Sequence, residues 1–175
     1  MLQLTPVTRS REQAQEWLQQ LGHGLDGIVA KRLDDIYQPG RRAMRKYKLW
    51  HTVDCVVAGV YVKPGTRVID SLLLGIYDEA GLLHYVGRST IHGDSEIMAK
   101  TEPLMGNGGF TGRAPAGKNR WSGRERLVVP VRPELVVEVG ADHITEQHFR
   151  HGSRILRWRT DKRPEACMME QLGRS

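Results

Sequence analysis

Val53-Asp54-Cys55-Val56-Val57-Ala58-Gly59-Val60-Tyr61-Val62 is the stretch on which the fold reading turns. β-branched and aromatic residues dominate it, as they do residues 70–77 and 82–86, and such residues suit the pleated surface of a strand. Pro64-Gly65 and Asp78-Glu79-Ala80-Gly81 separate the three runs as turn signals. Residues 94–105 read as a helix, with Ile97, Met98, Thr101 and Met105 on one side. Residues 106–126 hold six glycines, four arginines and a lysine with no hydrophobic period, and read as a long loop. Two further strands are predicted over 127–131 and 135–139, hinged at Arg132-Pro133, and a last one over 149–158. Pro164 opens a short terminal helix through Leu172. Five or six strands with one intervening helix suit a small Greek-key barrel.

Working back from Val53, the texture is mixed. Residues 2–5 alternate as a short strand stopped by Pro6. Ser10 opens a helix with Gln13 as the reciprocal half of a capping box. Ala14, Trp17, Leu18 and Leu21 form its apolar stripe, and Gly22 and Gly24 end it. Residues 25–31 make a short apolar strand around Ile28-Val29-Ala30. Such a strand–helix–strand unit is too small to be a domain and reads as the end of a larger one. The expected division is 1–49 and 50–175.

At 39% hydrophobic and 26% charged, the 175-residue chain is composed like a soluble globular protein. Its apolar runs, such as Leu72 to Leu74, fall far short of the ~20 residues of a membrane span. The N-terminus has neither the basic nor the apolar region of a secretory signal. Cys55 and Cys167 match no paired motif and read as reduced cysteines of a cytoplasmic protein. The net charge of +6 favours a polyanionic partner. It is concentrated in Arg41, Arg42, Arg45, Lys46 and Lys48, and again in Arg150, Arg154, Arg157, Arg159, Lys162 and Arg163. Solvated faces are the competing reading of both clusters. His143, His148 and His151 match no usual zinc spacing, and no cysteine is near them in sequence.

Three segments, in order and spanning most of the chain, carry a family resemblance. Asp26-Gly27-Ile28-Val29-Ala30-Lys31 resembles the fourth nucleotidyltransferase motif of ATP-dependent DNA ligases. Lys46-Tyr47-Lys48 resembles the fifth, with two lysines alternating on a strand so that both point to one side. Arg157-Trp158-Arg159-Thr160-Asp161-Lys162 resembles the sixth, at the end of the OB domain. The bacterial ligases of the end-joining and repair type are the nearest likeness. RNA ligases and mRNA capping enzymes belong to the same superfamily and fit less well.

The resemblance implies a mainly β chain with α: a small α/β remnant of a nucleotidyltransferase (adenylation) domain, then an OB-fold Greek-key barrel that binds DNA. It implies ATP and magnesium (Mg2+) as cofactors, duplex DNA with nicks or ends as partner, and a cytoplasmic, nucleoid-associated setting in bacteria, with no membrane. Lys46 and Lys48 take the α-phosphate of ATP or AMP, and Lys31 is carried over with them. Arg159, Asp161 and Lys162 close over the β- and γ-phosphates, Asp161 orienting its basic neighbours. Asp26 helps hold a divalent metal, although the family more often has glutamate there. By their charge, the basic loop residues Arg113, Lys118, Arg120, Arg124 and Arg126 either track the DNA backbone or form a solvated loop, two readings of equal weight. Competing readings are an edge strand made soluble by lysines, a turn aspartate, a basic C-terminal surface and a solvated loop.

The chain also departs from the family. The nucleophile belongs to a Lys-x-Asp-Gly motif, yet two residues before Asp26-Gly27 stands Gly24. Gly140-Ala141-Asp142 replaces a larger, more polar pair before the aspartate. The expectation is the C-terminal part of a ligase that, isolated, neither adenylylates itself nor seals nicks, with the N-terminal catalytic half upstream or on a separate chain. The alternative is a stand-alone, non-catalytic OB-fold nucleic-acid-binding module.

Overall fold

The computed structural model describes residues 4–20, 27–48, 50–91, 94–116, 127–142, 144–145 and 147–172. They divide into two compact units, residues 1–50 and 51–175. Among them, no helix is long and apolar enough to cross a membrane.

The first unit contains helix α1 (Arg11–Gln20) and an antiparallel pair, β1 (Gly27–Lys31) and β2 (Met44–Lys48). The start of α1 follows the capping expectation in half. Ser10 Oγ accepts the Gln13 amide at 3.1 Å, but the Ser10 amide donates to Thr8 Oγ1 at 3.0 Å in place of the Gln13 side chain. Leu4 and Thr5, expected in a strand, adopt none, and residues 1–3 and 21–26 lie outside the described residues. The β1–β2 pair is exposed on both faces. Val29, Met44 and Tyr47 on its strands, and Leu33, Ile36 and Tyr37 in its connection, all face solvent. A lone two-stranded sheet is at best marginally stable in water, and an apolar surface of this kind calls for a covering partner.

The second unit is built on one five-stranded antiparallel sheet in the order β5-β4-β3-β6-β9. Its strands are β3 (His51–Val62), β4 (Ile69–Tyr77), β5 (Leu83–Thr90), β6 (Leu127–Ala141) and β9 (Arg154–Trp158). The edges meet where Ser89 of β5 bridges Ser153 just before β9 in parallel, with the Ser89 hydroxyl 2.7 Å from the Ser153 carbonyl oxygen. Closure of the outer strands, with helix α2 (Ser95–Thr101) between β5 and β6, is the arrangement of an OB-fold.

The apolar run of β3 is buried on both faces because different layers cover them. Val53, Cys55, Val57, Val60 and Val62 enter the barrel core, the inward parity switching at the bulge between Val57 and Gly59. On the outer side Val56 and Ala58 pack with Leu83, Val136 and Cys167, against Tyr77 and Phe110. Inside, Ile97 of α2 and Leu104 join the core. Asp94 caps α2 by accepting the Glu96 and Ile97 amides.

Several expectations about the elements change. Helix α2 is shorter than 94–105: Pro103 lacks an amide donor, and the chain tightens into a 3-10 turn at Glu102–Leu104. The two strands expected around Arg132-Pro133 are one, β6. Its ladder to β3 breaks at that point, with Val57 opposite Leu135 but Gly59 opposite Pro130. The segment between is held from the other side, by the Met105–Val131 bridge and by the Gly106 amide donating to the Pro130 carbonyl at 2.9 Å. Phe149 belongs to a separate hairpin, β7 (Ile144–Thr145) with β8 (His148–Phe149), so the last strand begins only at Arg154. The expected terminal helix is two 3-10 turns, Pro164–Ala166 and Met169–Leu172. Cys167 between them is drawn onto the barrel, its carbonyl accepting the Tyr77 amide at 2.8 Å.

Candidate phosphate-binding groups

In the first unit, strand register sorts the lysines. Lys48 stands opposite Gly27, Lys46 opposite Val29, and Met44 opposite Lys31. Paired residues in an antiparallel ladder share a face, so Lys31, Lys46 and Lys48 lie on one face, and Ile28, Ala30, Arg45 and Tyr47 on the other. Gly27 is required by this pairing. Its φ is +148°, and a Cβ there would lie 2.0 Å from the Tyr47 carbonyl oxygen. Asp26, expected to hold a metal, lies outside the described residues.

In the second unit, Arg159, Asp161 and Lys162 follow β9 directly. The Arg159 amide donates to the Val136 carbonyl at 2.8 Å, which extends the edge of the sheet and fixes where that side chain starts. Its guanidinium is shared by two carboxylates. Nε and Nη2 donate to Asp161 Oδ1 and Oδ2, both at 2.9 Å, and Nη1 donates to both oxygens of Asp54 at 3.0 Å. Lys162 Nζ reaches Asp54 Oδ2 at 2.8 Å. Asp54 is the floor of the group, its side chain only 12% exposed against 66% for Asp161. Its strand position is fixed further by Gln171, whose Oε1 accepts the Asp54 amide at 3.2 Å while Nε2 donates to the Met168 carbonyl at 3.1 Å. Arg157 pairs with Glu138 directly across the ladder, and Lys100 Nζ stands 5.8 Å from the centroid of the Trp158 ring.

The electrostatics follow from these contacts. The Arg159 hydrogen bond holds the Asp161 carboxyl down at about 2, and the same bond pushes the guanidinium further up. Two cations and two carboxylates make the cluster formally neutral. A fixed guanidinium beside a fixed ammonium can bind an oxyanion from two directions. Asp54 was missed by sequence reasoning. The signal available was a lone carboxylate inside an apolar strand, which calls for a partner, but the partner lies 105 residues away.

Of the basic loop residues, Lys118, Arg120, Arg124 and Arg126 lie outside the described residues. Arg113 is held by backbone and side chain. Nε donates to the Tyr85 carbonyl at 3.2 Å, Nη2 to the Gln147 carbonyl at 3.0 Å, and its amide to His84 Nδ1 at 3.0 Å. His84 Nδ1 therefore acts as acceptor, which leaves Nε2 to donate to Asp78 at 2.7 Å. That hydrogen bond draws the Asp78 carboxyl below its ordinary value. His148 and His151 sit in or beside the β8 hairpin, His151 against Asp142 at 3.1 Å, and His143 is not described.

Known proteins resemble this chain across both units. DNA ligase C2 of Mycolicibacterium smegmatis is 38% identical over 97% of the chain and 53% of its own length. DNA ligase C of Mycobacterium tuberculosis is 38% identical over 99% of the chain and 53% of its own length. The chain thus spans about half the length of the curated relatives it matches. The crystal structure of the ligase domain of M. tuberculosis LigD superposes with a TM-score of 0.55 at 30% identity, covering 80% of this chain and 46% of that one. Residues 65–162, from the loop after β3 to Lys162, match the family model described as the ATP dependent DNA ligase C terminal region, and the chain belongs to that family.

Proposed function

We propose that this chain is the C-terminal section of an ATP-dependent DNA ligase, contributing phosphate-binding cations and an OB-fold to nick sealing in bacterial DNA repair and recombination. The observation that carries the reading is the Arg159–Asp161–Lys162 group, which ends the family match and is braced on Asp54. Phosphoryl transfer asks a protein mainly for positioned cations around phosphate oxygens. Lys46 and Lys48, with Lys31 on the same face, supply a second set for the α-phosphate.

In this reading residues 1–49 complete an adenylation domain and residues 50–175 form the DNA-binding domain. The exposed Val29, Leu33, Ile36, Tyr37 and Tyr47 suit a surface covered by the remainder of that adenylation domain, whether it precedes them in one polypeptide or sits on a separate chain. The nucleophilic lysine comes from that remainder. Asp26 would help hold the magnesium that accompanies the nucleotide phosphates. Among the described residues no group of three or more acidic, histidine or cysteine side chains gathers as a metal site. The partner is nicked or broken duplex DNA in the bacterial cytoplasm, contacted through its backbone by the basic loop residues.

The test uses two proteins. The purified chain, incubated with α-labelled ATP and magnesium, is expected to acquire no covalent AMP; an adduct would place the nucleophile within it and overturn that part of the reading. A chimera joining the N-terminal portion of M. tuberculosis DNA ligase C to this chain is expected to seal nicked duplex with ATP. A folded chimera that binds the nick yet leaves it open refutes the ligase assignment.

A further inference from the structure

We propose that Asp54 is a positioning residue that acts as a resident counter-anion, holding Arg159 and Lys162 together until a nucleotide polyphosphate displaces it. The inference rests on the phosphate-binding reading above and adds a mechanism to it.

The geometry carries it in three steps. First, both cations converge on one carboxylate: Arg159 Nη1 bonds both Asp54 oxygens at 3.0 Å, and Lys162 Nζ bonds Oδ2 at 2.8 Å. Second, Asp54 cannot follow its partners. It stands in the strand at the middle of the sheet order, hydrogen-bonded through its amide to Gln171, with its side chain mostly covered. Asp161 differs, being exposed and two residues from Arg159, and so can travel with the guanidinium. Third, the charges cancel. Arg159 and Lys162 contribute +2, Asp54 and Asp161 −2, so the resting cluster offers a polyanion no net attraction. Capturing phosphates through Nη1 and Nζ therefore means exchanging one anion for another, with Asp161 keeping the guanidinium oriented throughout. The exchange releases the segment after β9 from the sheet's centre only when an anion is there to take it, so that motion of these residues is coupled to nucleotide.

The consequence runs opposite to that of a purely structural contact. Asp54→Asn keeps the shape and changes the cluster's formal charge from 0 to +1. Inorganic tripolyphosphate should then bind the 175-residue chain at least about fivefold more tightly at low salt, the effect of one unit charge on a single phosphate charge at contact distance in a water-like dielectric. Calorimetry measures the affinity, and circular dichroism checks that the variant is folded. A second measurement needs no variant. In the unmodified chain, titration with tripolyphosphate should shift the Asp54 carboxylate 13C resonance together with the Arg159 side-chain signals, and this reading decides alone where Asp54→Asn does not fold. Unchanged or weaker binding by folded Asp54→Asn, or Arg159 signals that move while the Asp54 carboxylate stays put, overturns the counter-anion role and leaves the phosphate site standing. If Arg159 and Lys162 respond to tripolyphosphate in neither protein, the phosphate reading fails and the inference fails with it.

Discussion

Gly87 in β5 lies directly beneath Phe149, the buried aromatic of the small β7–β8 hairpin. A Cβ at position 87 would stand 2.4 Å from Phe149 Cδ2 and 3.0 Å from both its Cβ and Cγ. Carbon atoms rest about 3.5–4.0 Å apart, so Gly87→Ala must open this contact by roughly 1 Å. Rotating the ring does not suffice, because the Phe149 Cβ is itself too close. The hairpin backbone must move, and it is tethered at Gln147 by Arg113. Overpacking of this kind costs about 1–3 kcal/mol, and contact with both Cβ and ring places it near the upper end. Alanine in a strand recovers roughly 0.5–1 kcal/mol of backbone entropy relative to glycine, leaving a net loss of about 2 kcal/mol. With a urea m-value of about 1.5 kcal/mol per molar, the unfolding midpoint should fall by about 1.3 M. Urea titrations followed by circular dichroism measure this, repeated on a Phe149→Ala background where the ring is gone. There Gly87→Ala should cost at least 1 kcal/mol less, a coupling of the size seen between touching residues. A midpoint shift below about 0.3 M, or an equal cost on both backgrounds, would show that Phe149 does not rest on Gly87 as described.

The other expectations concern groups around the barrel. Arg113→Ala should leave the Tyr85 and Gln147 carbonyls without their guanidinium donor and raise hydrogen exchange in the hairpin about tenfold, with β3 and β4 unaffected; uniform protection would remove Arg113 as the tether. Burial pushes the Cys55 thiol far up and the Cys167 thiol to about 11, so both should resist a thiol reagent at neutral pH until the chain is unfolded. Since the unfolded thiols lose protons near 8.5 while the folded ones keep them, stability should decline as pH rises from there, the Cys167 part ending at about 11, and Cys167→Ala should make the decline shallower while Cys55 sustains the rest. With the Asp161 carboxyl held at about 2 by Arg159, the stability it contributes is present above its unfolded value near 3.9 and lost as pH falls through 2. A carboxylate 13C titration of Asp161 with its midpoint above 3.9 would contradict the pairing.

Local chemistry encodes a good deal of this protein without reference to any tertiary contact. Turn residues and β-branched runs located β3, β4 and the start of β5, because strand preference and chain reversal are written within a few residues. Alternation put Lys46 and Lys48 on one side of a strand, and a serine ahead of an amphipathic stripe marked where α1 begins. The motif residues Arg159, Asp161 and Lys162 were legible for the same reason. What they touch was not. Lys31 joins the lysine face through the β1–β2 register, which no single strand encodes. Arg132-Pro133 reads as a break because proline removes a ladder donor, yet Met105 and Gly106 bond the bulged segment at Val131 and Pro130 and the strand runs on. Residues 164–172 carried helical signals that lost to the bond between Tyr77 and Cys167. Asp54 is the plainest case: an acidic residue in an apolar strand demands a counter-charge, but which one depends on β3, β6 and β9 lying side by side in the folded sheet. Sequence determined the elements and the kinds of chemistry present, since propensities and motifs act over short range. Tertiary structure alone decided the pairings, since hydrogen bonds and ion pairs form between groups that only the closed barrel brings within 3 Å.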